Sequence, residues 1–173
     1  MPKTLPSTQE PQITIYTDGG CINNPGPGGY GAVIINDGKR KELSGGFRLT
    51  TNNRMELTAA IVALQSLPAH SRVALYSDSR YLVDAVEKGW VRAWQANKWR
   101  KADKTRALNV DLWQQILSLC SQHEVRFTWV EGHAGHPENE RCDRLAVESS
   151  HRKNLPVDTG YEVVPDARQL GLL

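Results

Sequence analysis

The chain contains no apolar run approaching the ~20 residues that a membrane-spanning helix needs, so no engagement with a membrane is expected. Its start, MPKTLPSTQEPQ, lacks both an apolar stretch and a basic amphipathic pattern; this excludes a secretory signal and reads as a flexible leader over residues 1–12. Cysteine is scarce. Cys21, Cys120 and Cys142 are odd in number and widely spaced, with no CxxC pair, which excludes a disulfide framework and a zinc ribbon and fits a reducing cytoplasm. No internal repeat is visible. Disorder is excluded as well, because 39% hydrophobic and 23% charged residues are ordinary for a soluble globular chain. At 173 residues, the expectation is one domain that builds its own core and works as a monomer.

What is present reads as strands alternating with helices. ITIYTDGG, residues 13–20, has the β-branched and aromatic content of a strand and is broken by Gly19-Gly20. YGAVIIN and KELSGGFRL follow as two strands around Asp37-Gly38, a strong hairpin signal, so the sheet begins antiparallel. NNRMELTAAIVALQSL has helical spacing and is expected to end at Pro68. RVALYSD is a fourth strand, SRYLVDAVEKGW a helix ending near Gly89, NVDLWQQILSLCSQ an amphipathic helix and EVRFTWV a fifth strand. The last helix, HPENERCDRLAVESSHRK, carries Pro137 in its first turn, and residues 154–173 read as a C-terminal tail. The fold class is α/β, a mixed sheet flanked by helices.

Two features need care. GPGGYG, residues 26–31, satisfies the dinucleotide fingerprint G-x-G-x-x-G, but a strand rather than a helix follows it, so it reads as a tight connection between strands. Net charge is only +2, yet Lys88, Arg92, Lys98, Arg100, Lys101, Lys104 and Arg106 face the single acid Asp103 in a stretch that also holds Trp90, Trp94 and Trp99. Such a stretch is either a solvated helical face with Trp90 and Trp94 anchored in the core, or a surface for a phosphate backbone with rings packed on sugars or bases.

The informative acids are Asp18 at the end of the first strand, Glu56 early in the first helix, Asp78 at the end of the fourth strand and Asp143 in the last helix. Each has an ordinary alternative: Asp18 in a turn, Glu56 closing a capping box with Asn53, Asp78 capping the helix that begins at Ser79. If the first and fourth strands are neighbours, however, Asp18 and Asp78 lie side by side at their carboxyl ends, where open α/β sheets place ligands. Adjacent carboxylates repel, and an all-oxygen cluster is relieved by Mg²⁺ or Mn²⁺. A pair of such ions is suited to displacement at phosphorus.

YTDGGC, NPGPGGYGAV, TTNNRMELTAAI, YSDSRYL, NVDLWQ and VEGHAGHPENERCDRLA stand in the order and spacing of ribonuclease HI, the type 1 ribonuclease H of bacteria, and the chain resembles that family from about Ile13 to about Glu162. WVRAWQANKWRKADKT resembles the basic protrusion of one of its sub-groups. The resemblance implies a five-stranded mixed sheet, a catalytic domain over residues 13–153, and Mg²⁺-dependent endonucleolytic hydrolysis of the RNA strand of RNA/DNA hybrids, leaving 5′-phosphate and 3′-hydroxyl ends. It implies Asp18, Glu56, Asp78 and Asp143 as metal-binding carboxylates, with Asp18 bridging two ions, and His133 as a mobile proton shuttle or product-release aid. A zinc site of His133, His136 and Cys142 lacks a fourth close ligand.

The resemblance also implies readers of the cleaved strand near Cys21, Asn24, Asn52 and Glu56, where the 2′-OH tells RNA from DNA. Thr51, Asn53, Trp90, Trp94, Lys98 and Trp99 match the surface that holds the DNA strand. Three positions depart from the family pattern: Gly20, Arg80 and Glu131. Arg80 is expected to add a phosphate contact close to the metals. A hybrid-binding module without catalysis is the rival from another class, and an integrase-like nuclease the rival within the superfold.

Overall fold

The computed structural model describes residues 13–162. The leader read over residues 1–12 lies outside them, as does the tail from residue 163 onward. Five strands, β1 (Ile13–Cys21), β2 (Gly26–Asn36), β3 (Lys39–Thr50), β4 (Arg72–Ser77) and β5 (Glu124–Trp129), form one sheet in the order β3-β2-β1-β4-β5. β1–β2 and β2–β3 are antiparallel, while β1–β4 and β4–β5 are parallel. The hairpin turn sits at Asp37 and Gly38, both with positive φ (52° and 73°), as the mirror-image turns that match strand twist require.

Helices α1 (Asn52–Gln65), α2 (Arg80–Glu87), α3 (Trp90–Ala96), α4 (Val110–Gln122), α5 (Pro137–Ser150) and α6 (Thr159–Glu162) cover the sheet. The strands alternate, so Ile13 and Ile15 of β1 face one side and Tyr16 the other. On the first side Ile15, Ile34 and Leu75 meet Leu57, Ile61 and Leu64 of α1 and Trp113 and Ile116 of α4 in the main core. α1 is buried along most of its length because it lies between sheet and α4. It stops at Gln65 with Ser66 as C-cap, short of the expected Pro68.

On the opposite side Val33 meets Cys142 and Leu145 of α5. Here the reading of GPGGYG is corrected: residues 26–31 are the first half of β2 itself, not a connection. Its glycines serve an approach of helix to strand. A Cβ on Gly29 would collide with the Ala146 carbonyl, and one on Gly31 would stand 2.6 Å from that of Cys142.

The basic stretch divides into α3 and an irregular segment closed by a bridge between Arg100 and Arg106. Trp94 is half-buried and edge-on to the buried Trp113 at 6.1 Å, whereas Trp90 stays 46% exposed. Of this pair only Trp94 is therefore anchored.

Residues 154–162, read from the sequence as the start of a tail, pack onto the domain. Asp158 is buried, and its two oxygens take hydrogen bonds from Arg54 Nε (2.7 Å) and Nη2 (2.9 Å), while Thr50 Oγ1 donates to Oδ2 at 2.7 Å. Arg54 also donates to both oxygens of Asp111 at 2.9 and 2.7 Å. One buried guanidinium thus ties α1, α4 and the segment before α6 together with charge-assisted bonds. No described helix is long and apolar enough to cross a membrane.

Candidate active site

The parallel pairing of β1 with β4 sets Thr17 opposite Ser77, so the next residue of each strand, Asp18 and Asp78, emerges at the same end of the sheet. Asp78 is free for this role because Ser79, not Asp78, caps α2, its side chain accepting from Leu82 N at 3.2 Å. Glu56 is likewise not part of a capping box with Asn53. Thr51 is the N-cap of α1, its hydroxyl accepting from Arg54 N at 3.2 Å, which leaves Glu56 one turn in and aimed at the strand ends. Gly19 makes this proximity possible: a Cβ there would stand 2.6 Å from the Glu56 nitrogen and overlap the Met55 carbonyl carbon.

Asp18, Glu56 and Asp78 each bring a carboxylate oxygen within 4.8 Å of the others. Three acids so close disfavour one another's ionised forms, and burial adds to that. Asp18 is pushed up to about 7, first by burial and then by the charge of Asp78; the N–H of Gly19, donating to its Oδ1 at 2.8 Å, offsets part of the rise. Glu56 is raised well above the ordinary range by burial and by Asp18 and Asp78. Its Oε2 is buried without a hydrogen-bond partner. Asp78 is raised as well, chiefly by burial, while a hydrogen bond with Asp18 and, less, the charge of the nearby His133 oppose the rise.

Asp143 stands apart from this tight cluster. It lines a cavity of about 240 Å³ with Gly19, Gly20, Cys21 and Asn52, and its charge adds to the rise at both Asp18 and Asp78. His133 is exposed in the loop between β5 and α5, with positive φ (57°). A zinc site is not assembled among the described residues: Cys142 is buried under the sheet, its thiol donating to the Tyr16 carbonyl at 3.2 Å, and His136 is exposed.

The residues named as readers of the cleaved strand form a linked platform beside the acids. Asn52 Oδ1 accepts from Cys21 N at 2.8 Å, and Asn24 Oδ1 accepts from Asn52 N at 3.1 Å. Burial pushes the Cys21 thiol up to about 11, which keeps it neutral. Asn24, Thr51, Asn52 and Asn53 continue into a groove of about 1000 Å³ whose other wall is Arg106–Asp111 and Thr159–Tyr161. Arg80 is exposed and lies over the Trp129 ring, 3.8 Å from its centroid. In the basic segment Trp90 and Lys98 are exposed, while Trp94 and Trp99 are half-buried against the core.

Sequence reading missed Trp129 and Gly132. The Trp129 indole N–H donates to the Asp78 carbonyl at 3.1 Å, and Gly132 lies against the Asp78 carboxylate. EVRFTWV marks a strand but not which of its rings reaches the neighbouring strand end, so only the pairing of β4 with β5 could have exposed Trp129.

Comparison with known proteins agrees with this geometry. The RNase H family model matches residues 10–151. A ribonuclease H of Rippkaea orientalis is 62% identical over 151 residues, covering 87% of this chain and 93% of its own length. A ribonuclease HI of Synechocystis is 56% identical over 150 residues, covering 86% and 94%. Among solved structures, LC9-RNase H1, a type 1 RNase H with the type 2 active-site motif, superposes with a TM-score of 0.74 at 29% identity, covering 95% of this chain and 85% of its own. LC11-RNase H1, solved in complex with RNA/DNA hybrid, gives a TM-score of 0.60 at 25% identity, covering 79% and 95%. With its carboxylates gathered where β1 and β4 end, and with relatives matched along nearly their whole length, this chain belongs to the ribonuclease H family of enzymes.

Proposed function

We propose that this chain hydrolyses the RNA strand of RNA/DNA hybrids, using Mg²⁺ or Mn²⁺ held by Asp18, Glu56, Asp78 and Asp143, and leaves 5′-phosphate and 3′-hydroxyl ends. One observation carries the metal reading above all. Glu56 keeps a buried, unpartnered Oε2 inside a cluster of three carboxylates, an arrangement that is costly unless something positive fills it. The donors are all carboxylate oxygens, the set suited to hard divalent cations. Bound there, such ions would lower the pKa of an attacking water and offset the charge that builds on phosphorus and the leaving 3′ oxygen.

The protein's own groups supply the rest. Asp18, hydrogen-bonded by Gly19 and interacting with Glu56, Asp78 and Asp143, would be the first of the carboxylates to hold such cations. Cys21 and Asn52 set backbone and amide groups in the cavity that Asp143 lines, with Asn24 bracing Asn52 from the groove, where they can bond the 2′-OH of the strand to be cut. His133, exposed in the loop beside Gly132 and close enough for its charge to act on Asp78, is suited to carry a proton to or from the reacting phosphate. Thr51 and Asn53 at the groove, with Trp90, Trp94, Lys98 and Trp99, are suited to hold the DNA strand through phosphates and ring faces, without reading sequence. The carboxylate reading is tested by replacing Asp18 with Asn: cleavage should be abolished while the hybrid still binds, and activity surviving the change would contradict it.

A further inference from the structure

The loop from Val130 to His136 begins where β5 leaves the sheet, and Val130 N donates to the Ser77 carbonyl at 3.0 Å. Two residues on, Gly132 lies against Asp78. A Cβ built on Gly132 would stand 2.6 Å from Asp78 Oδ2 and 3.4 Å from its Cβ and Cγ, so only a hydrogen fits there while the carboxylate keeps this orientation. The main chain of Asp78 cannot yield easily. Its carbonyl is held by the Trp129 indole at 3.1 Å, and that ring is covered by the Arg80 guanidinium. What can still turn is the Asp78 side chain, which Asp18 engages on one side and the bare Cα of Gly132 bounds on another.

We propose that Gly132 is a positioning residue: the His133 loop rests on the Asp78 carboxylate and sets its orientation, so that loop geometry and the presentation of Asp78 to a cation change together. The cation half of this inference rests on the metal reading above; the contact itself does not. The loop is itself shaped by two left-handed residues, His133 (φ 57°) and Gly135 (φ 82°), which keep it folded back over the end of β4. Any movement of His133 during turnover would therefore be felt at Asp78 through the residue beside it.

Gly132→Ala tests this with two readouts that need no turnover. The first is Mn²⁺ binding to the substrate-free protein by calorimetry, with Asp78→Asn and the remote surface variant Lys39→Ala, at the opposite end of the sheet, alongside. Gly132→Ala should weaken binding about 10-fold or more, as loss of a ligand's support commonly does, and Lys39→Ala should leave it unchanged. The second is the metal-free melting temperature, which Gly132→Ala should lower in the parent but not in an Asp78→Ala background, where the obstructing Oδ2 and Cγ are gone. The inference is overturned if Gly132→Ala binds Mn²⁺ as tightly as the parent while Asp78→Asn does not, or if its melting cost is the same in both backgrounds. If Asp78→Asn itself leaves Mn²⁺ binding intact, the metal reading falls instead, and the melting comparison still decides the contact.

Discussion

Asp18 and Glu56 face each other across a backbone contact that tolerates no side chain: the Cα of Gly19, next to Asp18, abuts the Met55–Glu56 peptide of α1, and one oxygen from each acid falls within 4.8 Å. Without a cation the pair is under strain, and that strain is measurable as a dependence of stability on pH.

The Asp18 carboxyl titrates at about 7 in the folded protein against 3.8 for an ordinary aspartate, so between those values the folded state holds the proton more tightly. The stability it contributes is fully present below about pH 3.8 and is lost as pH rises through about 7. Glu42, held down to about 2 by Arg141, acts oppositely but only below the ordinary carboxylate range, so above pH 5 the dependence belongs to Asp18 together with Glu56 and Asp78, which are raised in the same sense. Asp18→Asn should therefore raise metal-free stability at pH 7.5 by roughly 1–3 kcal/mol and reduce its pH dependence, while abolishing cleavage. Urea unfolding from pH 5 to pH 8, with a cleavage assay beside it, checks both halves.

Asp158→Ala should cost about 3–5 kcal/mol, because it leaves the buried Arg54 guanidinium short of one of its two carboxylates. Arg48→Ala, which removes an exposed guanidinium from the largely covered Glu162, should cost about 1 kcal/mol, well below Asp158→Ala. Denaturant midpoints of the two variants give the comparison.

Gly29→Ala should destabilise by about 1–3 kcal/mol or more, since its Cβ would press on the Ala146 carbonyl and lift α5, and Asp143 with it, from the sheet. Gly20→Ala meets only Asn52 Oδ1 at 3.9 Å and should be nearly neutral. Melting temperatures separate the two glycines, and cleavage by Gly29→Ala should fall more than its stability alone explains.

Hybrid binding should weaken steeply with salt. Lys98→Ala should reduce the slope of log affinity against log salt by about 0.9 if it neutralises one phosphate. Trp90→Ala, at a 46% exposed ring, should weaken binding without lowering the melting temperature, whereas Trp94→Ala removes a ring packed on Trp113 and should lower both. Fluorescence anisotropy of a labelled hybrid at several salt concentrations provides the slopes.

How far the chain could be read from its residues depended on whether the cause was local. ITIYTDGG and RVALYSD carry their strand character in adjacent side chains, and the meeting of Asp18 with Asp78 followed once those strands were made neighbours. GPGGYG was misread because its glycines look like loop residues, while their reason is the approach of α5, more than a hundred residues away in sequence. Asp78 reads from the sequence as a cap of the helix that follows it, whereas the backbone gives that role to Ser79 and leaves Asp78 to the site. Asp158 looked like part of a tail because nothing near it reveals that Arg54 is buried and lacks a counterion without it. Trp129 and Gly132 were invisible for the same reason, since their importance lies in what they touch across the sheet end.

The most direct test is cleavage of an end-labelled RNA/DNA hybrid, with RNA/RNA, DNA/DNA and single-stranded RNA beside it, in Mg²⁺, in Mn²⁺ and in excess chelator. Cuts confined to the hybrid's RNA strand, leaving 5′-phosphate ends and abolished by chelator, are the predicted result. Cleavage that persists in chelator would contradict the metal reading, and a hybrid that is bound but never cut would contradict the proposed catalysis.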